Sequence, residues 1–313
     1  MATLNKFPYS IRWAFNFKNW HPTEEEWSQA IMQVQEEERV RIGKFRYRDD
    51  AKASLVGRLM IRQWSKRFLN AIGSSQAEPT LMRTERRRPK LILSATEQEL
   101  AKSTHFDFNV AHAGELTILG AEVSKTSPVI IGVDVMPFDR SRRADLEEFL
   151  RLMKRQFTNE EWNQIRTTSE NCDQRDNEIM KHFYRFWCLK ESFVKAEGSG
   201  LAWDLQRLSF NCPSTDLSKS AALTDTVLKV DGVPLHDWQF QEHLLKPDHC
   251  VAVAVKYNEI YNRTVTKNCE PFQFLSLIDL LGADVRLNSD NACTQARHVE
   301  WKKFLEKQIV KPF

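Results

Sequence analysis

Two stretches of this chain open alike: TEEEW at Thr23–Trp27 and TNEEW at Thr158–Trp162. In each, a threonine precedes a glutamate by three residues, the spacing of a reciprocal helix cap in which the hydroxyl takes the glutamate's backbone N–H and the carboxylate reaches back. A longer helical run mixing basic and bulky apolar residues follows each opening: residues 49–69 (DDAKASLVGRLMIRQWSKRFL) in the first half and Glu178–Glu197 in the second. Strand-like stretches then follow both. Phe106–Leu119 (FDFNVAHAGELTIL) reads as a hairpin turning at Ala113–Gly114, and Cys250–Lys256 (CVAVAVK) as a buried strand. The recurring order implies an α+β unit laid down twice and packed as two similar lobes related by a pseudo-twofold axis. The expected divisions are a first lobe at 1–126, a second at 127–257, and a C-terminal appendage at 258–313 that follows neither half and packs on the lobes or binds a partner.

The length of 313 residues supports two modest cores, and 42% apolar with 28% charged residues is ordinary for a globular protein. No apolar run reaches the length of a membrane span, and the N-terminal MATLNKFPYS lacks a signal-peptide core. The expectation is a cytosolic protein with no membrane partner. Six scattered cysteines without a CxxC read as reduced thiols, neither a disulfide framework nor a zinc site. A net charge of +3 suits an anionic ligand or an acidic partner. It is too small to argue for nucleic acid, even with the runs Arg86–Arg88 and Arg140–Arg143, so no nucleic-acid partner is expected.

Charge at two apolar places raises the functional question. On the helix of Glu178–Glu197, Phe186, Leu189, Phe193 and Ala196 form the apolar face, and Gly198 and Gly200 end the helix. Glu191 and Lys195 lie one turn apart on a different face, either as a surface ion pair or as a carboxylate and an ammonium aimed at a ligand. In the β-branched stretch Ser127–Pro137 (SPVIIGVDVMP), Ile130, Gly132, Asp134 and Met136 share one side and Val133 and Val135 the other. Asp134 in such a strand requires a partner, whether a backbone group it caps or a ligand.

Three segments carry a resemblance when taken together: Gly132-Val133-Asp134, Trp187-Cys188-Leu189-Lys190-Glu191-Ser192-Phe193-Val194-Lys195, and Asn109-Val110-Ala111-His112. In this order the chain resembles the 4′-phosphopantetheinyl transferases of the large, two-lobed Sfp type. The segments Arg83–Leu91 (RTERRRPKL) and Arg41–Arg62 extend the likeness, the latter toward the metazoan members. The resemblance covers about residues 39–255.

It implies a transfer reaction between coenzyme A and a serine of an apo acyl carrier domain, with release of adenosine 3′,5′-bisphosphate. Asp134 and Glu191 are implied ligands of Mg²⁺, with Mn²⁺ an alternative. Glu191, directly or through a water, and Lys195 are implied catalytic residues. Implied coenzyme A contacts are Arg41, Arg83, Thr84, Glu85, Arg86, Arg87, Arg88, Asn109, Val110, Ala111, His112, Glu191 and Lys195. Arg41 and Arg83 point to the 3′-phosphate and adenine end. The chain departs from many bacterial relatives at Met136, where they carry a second acid, from many relatives at Ala111, where they carry serine, and at Arg86–Arg88, where relatives usually carry a lysine or two. Lys190 belongs to the motif but diverges from Glu191 on the wheel, either reaching round to the site or covering apolar surface. Implied partners are carrier domains of fatty acid synthase and of aminoadipate-type and formyltetrahydrofolate-type dehydrogenases, served by a monomer. The competing reading is a catalytically silent coenzyme A or carrier-binding protein of the same fold.

Overall fold

A computed structural model describes residues 10–76, 78–138, 146–167, 175–198, 200, 203–218, 221–257, 269–282 and 291–309. The Arg140–Arg143 run and Cys172 lie outside these residues. The first lobe runs β1 (Ser10–Asn16), α1 (Glu24–Met32), α2 (Glu36–Gly43), α3 (Arg48–Ile72), β2 (Thr80–Arg83), β3 (Pro89–Ile92), α4 (Ala95–Leu100), β4 (His105–Ala113) and β5 (Leu116–Ser124). The second runs β6 (Ile130–Pro137), α5 (Leu146–Leu152), α6 (Asn159–Arg166), α7 (Arg175–Glu197), β7 (Leu208–Asn211), β8 (Val227–Val230), β9 (Val233–Pro234), β10 (Trp238–Leu245) and β11 (His249–Lys256). The chain closes with β12 (Gln273–Phe274), α8 (Leu277–Leu281) and α9 (Asn291–Leu305).

Both expected capping boxes are present. Thr23 and Glu26 cap α1, and Thr158 and Glu161 cap α6, with hydroxyl and carboxylate bonds made in both directions. The duplication extends to strand order. β1 and β4 flank β5 in one sheet as β6 and β10 flank β11 in the other, all antiparallel. α3 covers the outer face of the first sheet and α7 that of the second.

The inner faces share an apolar layer. Ala14, Ala111, Leu116 and Ile118 from the first sheet meet Ile131, Val133, Val135, Val251, Val253 and Val255 from the second. β5 is therefore buried along its whole length, as a strand with helix on one side and sheet on the other must be. Where edge strands β4 and β6 meet, side chains replace a backbone ladder: Asp107 Oδ2 accepts from Ile131 N at 2.9 Å and Asn109 Oδ1 from Val133 N at 3.1 Å. These bonds satisfy backbone donors that an unpaired edge would leave open.

The C-terminal stretch is part of the first lobe's architecture. β12 adds to β1 as a parallel edge strand, and α9 packs on α1, α2 and α3. Phe304 stacks on Trp27 with ring centroids 4.0 Å apart.

Candidate active site

The site begins with a glycine. A Cβ on Gly132 would overlap the Ser192 carbonyl and the Ala196 nitrogen, so its absence lets the α7 backbone lie directly on β6. Two residues along the same strand face, Asp134 reaches α7, and its Oδ1 lies 2.5 Å from Lys195 Nζ. Asp134 is 5% exposed, and its Oδ2 is buried without a hydrogen-bond partner. An unpartnered carboxylate oxygen in that setting is costly and marks a place for a cation or donor.

Glu191, one turn before Lys195, is half-buried, and burial followed by the nearby Asp134 charge raises its pKa above the ordinary carboxylate value. Burial works against the charge on Lys195, but Asp134 and then Glu191 outweigh it and raise its pKa. Among the described residues no group of three or more His, Cys, Asp or Glu side chains is arranged to hold a metal. The donor set is two carboxylates, with partly buried Met136 on the same strand face. Two hard oxygen donors, one of them with an unused oxygen, fit a small divalent cation that keeps most of its coordination as water.

A cleft of about 660 Å³ opens beside Glu191 and Lys195. Arg41, Arg83, Arg86, Arg87, Arg88, Asn109, Val110 and His112 line it from the first lobe, and Glu191 and Lys195 from the second. The β2–β3 hairpin bridges the lobes, with Arg86 Nη1 donating to the Gly198 carbonyl at 2.7 Å. Arg88 is a stitch between lobes. Its guanidinium donates to the carbonyls of Lys195, Ala196 and Ile131 and pairs with Asp107 at 2.6 Å.

Other expected residues lie elsewhere. Ala111 is buried in the layer between the sheets, and Thr84 and Glu85 sit in the β2–β3 turn outside the cleft lining. Thr84 closes that turn by accepting the Arg88 N–H on its hydroxyl, with Arg87 at a positive φ of 63°. Lys190 points away from the site. Its ammonium is buried 2.8 Å from Glu161 and donates to the Leu205 and Leu208 carbonyls. Trp187 packs against Phe157 and Phe183.

The cleft also contains residues that the motifs do not announce. Ser54, Gly57 and Arg58 of α3 form part of its wall. Beneath them Glu38 of α2, 2% exposed, takes Arg41 Nε at 2.7 Å, Arg58 Nη2 at 2.5 Å and Arg83 Nε at 2.7 Å. Burial opposes its charge, but the Arg83 hydrogen bonds and the Arg58 and Arg41 charges prevail and bring its carboxyl down to about 2. Within the run Glu36–Glu38 nothing local separates Glu38 from its exposed neighbours. The one available signal was its i,i+3 spacing to Arg41.

A family model described as 4′-phosphopantetheinyl transferase, N-terminal, matches residues 18–124, and one described as 4′-phosphopantetheinyl transferase superfamily matches residues 130–254. The chain belongs to the 4′-phosphopantetheinyl transferase superfamily. Within it, the chain is similar to L-aminoadipate-semialdehyde dehydrogenase-phosphopantetheinyl transferases. The rat protein is 34% identical over 91% of this chain and 90% of its own, and the human protein 34% identical over 90% and 88%. A phosphopantetheinyl transferase of Thraustochytrium is 31% identical over 79% of this chain and 78% of its own.

Proposed function

We propose that this chain transfers the 4′-phosphopantetheine arm of coenzyme A to a serine of an apo acyl carrier domain and releases adenosine 3′,5′-bisphosphate. The observation that carries the reading is that Glu191 and Lys195 stand on the wall of a basic cleft lined from both lobes, with buried Asp134 behind them paired to Lys195. Serine oxygen attacks the β-phosphorus, and the bond from that phosphorus to the bridging oxygen of the pyrophosphate breaks. Glu191, its pKa raised by burial and by Asp134, accepts the serine proton. Lys195, held cationic by both carboxylates, offsets charge on the phosphate oxygens. The cleft arginines hold the nucleotide end and exclude other orientations. Asp134 and Glu191 would hold Mg²⁺ or Mn²⁺, which when bound neutralises charge on the pyrophosphate.

The carriers served are those of aminoadipate-type dehydrogenases, and by the same chemistry those of fatty acid synthase and formyltetrahydrofolate-type dehydrogenases. Acidic carriers suit a chain with net charge +3. The reading includes a monomer acting in the cytosol. No helix among the described residues is long and apolar enough to cross a membrane. A silent binding protein is disfavoured because Asp134, Glu191 and Lys195 are all present and adjacent.

The test is intact-mass spectrometry of a purified apo carrier domain after incubation with this protein, coenzyme A and Mg²⁺, beside metal-free and Glu191→Ala controls. Gain of one arm only in the complete reaction is the expected result. No gain with several carriers, despite measurable coenzyme A binding, would leave the silent protein as the reading.

A further inference from the structure

The carboxylate of Glu38 is the centre of a buried network that the phosphopantetheinyl-transfer chemistry itself does not require. Each of its oxygens serves two donors: Oε1 takes Arg58 Nη2 and Arg83 Nε, and Oε2 takes Arg41 Nε and Arg83 Nη2. Arg41 is further braced on Ser54 Oγ and Arg83 on the Arg87 carbonyl, so both guanidiniums are fixed at the cleft wall. The depth of these groups is graded. The Glu38 and Arg58 side chains are 3% and 4% exposed, whereas those of Arg83 and Arg41 are 29% and 37% exposed. Arg58 Nη1 is buried and has no partner.

One carboxylate against three guanidiniums leaves an excess of two positive charges at the cleft wall. A terminal phosphate monoester carries up to two negative charges at neutral pH, and each phosphate of a pyrophosphate diester carries one. The cluster therefore matches a monoester in charge, and within coenzyme A the only monoester is the 3′-phosphate.

Resting on the coenzyme A reading, we propose that Glu38 is the positioning residue that sets the Arg41–Arg83 fork and with it the preference for coenzyme A over its 3′-dephospho form. The carboxylate does not touch the ligand. It aims the two guanidiniums and removes one positive charge, leaving a site matched to a dianion. A glutamine in its place would present an N–H₂ group to donors on Arg41 or Arg83, and the fork would splay. Glu38→Gln also makes the pocket more positive, so the positioning role and simple charge addition predict opposite results. Charge addition alone would tighten phosphate binding.

The experiment measures initial rates of carrier modification with coenzyme A and with 3′-dephospho-coenzyme A for the full chain, Glu38→Gln and Glu38→Asp. The ratio of the two kcat/KM values gives the preference. A loss of folding stability alone would not move it. The expected result is a roughly tenfold or greater fall in that ratio for Glu38→Gln, carried by KM for coenzyme A, with an intermediate fall for Glu38→Asp, which keeps the charge on a shorter stem. Should Glu38→Gln fail to fold, the Asp variant carries the test. An unchanged ratio, or a larger one, in a folded variant overturns the proposal. If the unsubstituted chain transfers nothing from coenzyme A, the underlying reading fails, and the proposal falls with it for a different and visible reason.

Discussion

Single side chains decide how close the lobes' elements come and where buried charge is tolerated. Gly132→Ala would place a methyl group against the Ser192 carbonyl and the Ala196 backbone and push α7 off β6. Because backbone cannot yield as a flexible side chain does, the expected loss is roughly 3 kcal/mol or more, with transfer falling as Asp134 and Lys195 separate. Thermal melts together with carrier modification rates check both parts. Lys190 is the complementary case, a residue inside the motif with a purely architectural contact. Lys190→Met leaves Glu161 as a buried unpaired carboxylate and should cost roughly 3–5 kcal/mol in urea unfolding without weakening coenzyme A binding. Adding Glu161→Gln to that variant should recover part of the loss, because the stranded charge is then removed, although the Phe210 N–H bond to Glu161 is weakened.

Whole elements are held in place by segments far away in the chain. α2 carries Glu38 and Arg41, and its C-terminal end is secured by the last described residues. Lys307 Nζ, in a side chain that is largely buried, donates to the Gly43 carbonyl at 2.7 Å and the Phe45 carbonyl at 2.8 Å. The Arg48 N–H donates to the Gln308 carbonyl, the Gln308 N–H donates to the Arg46 carbonyl, and Arg48 Nη2 reaches the Leu305 carbonyl. The C-terminal stretch thus steadies the wall of the cleft, although both family models end before it. Lys307→Met should lower stability by about 1–3 kcal/mol, since two carbonyls lose a charged donor. It should also raise KM for coenzyme A, because the α2–α3 connection loosens. A denaturation curve and a substrate titration on the same sample read the two effects.

At the scale of the molecule, the interface between the sheets makes the fold sensitive to acid. On β10, Gln241 accepts from Arg12 of β1, and His243 packs edge-on against Phe272 with its Nε2 buried and unpartnered. Burial, then the Arg12 charge, pulls the His243 pKa from 6.5 down to about 3. The imidazole is therefore neutral in the fold and takes up a proton more readily when unfolded. Its contribution is fully present above about pH 6.5 and is lost as pH falls toward 3, amounting to roughly 2–3 kcal/mol by about pH 4.5. His182 on α7, depressed by burial and by Arg185, acts in the same direction. Glu38 adds to the loss only below its unfolded value of 4.5, down to about 2. His243→Leu should flatten the urea midpoint between about pH 6.5 and 4.5, apart from the share due to His182. An unaltered pH slope would show that His243 is not buried neutral at this interface.

Much of the architecture was legible locally. The Thr23 and Thr158 caps, the alternation that puts Asp134 and Gly132 on one side of β6, the turn near Gly114 and the one-turn spacing of Glu191 and Lys195 all follow from contacts between near neighbours. Such features have fixed periods of 3.6 and 2 residues and can be read wherever they occur. The matching of β1 with β6 was less visible, because a strand's place in a sheet depends on partners more than a hundred residues away. Beyond the i,i+3 spacing of Glu38 to Arg41, the partners of these charges were not visible. Glu38 looks like Glu36 and Glu37, Lys190 looks like a second site lysine, and Arg88 looks like Arg86 and Arg87. They differ only because folding buries Glu38 among three arginines, turns Lys190 toward Glu161, and carries Arg88 across to Asp107 and α7. A charge's role is set by the groups around it once water has been excluded, and that arrangement is a property of the packed lobes.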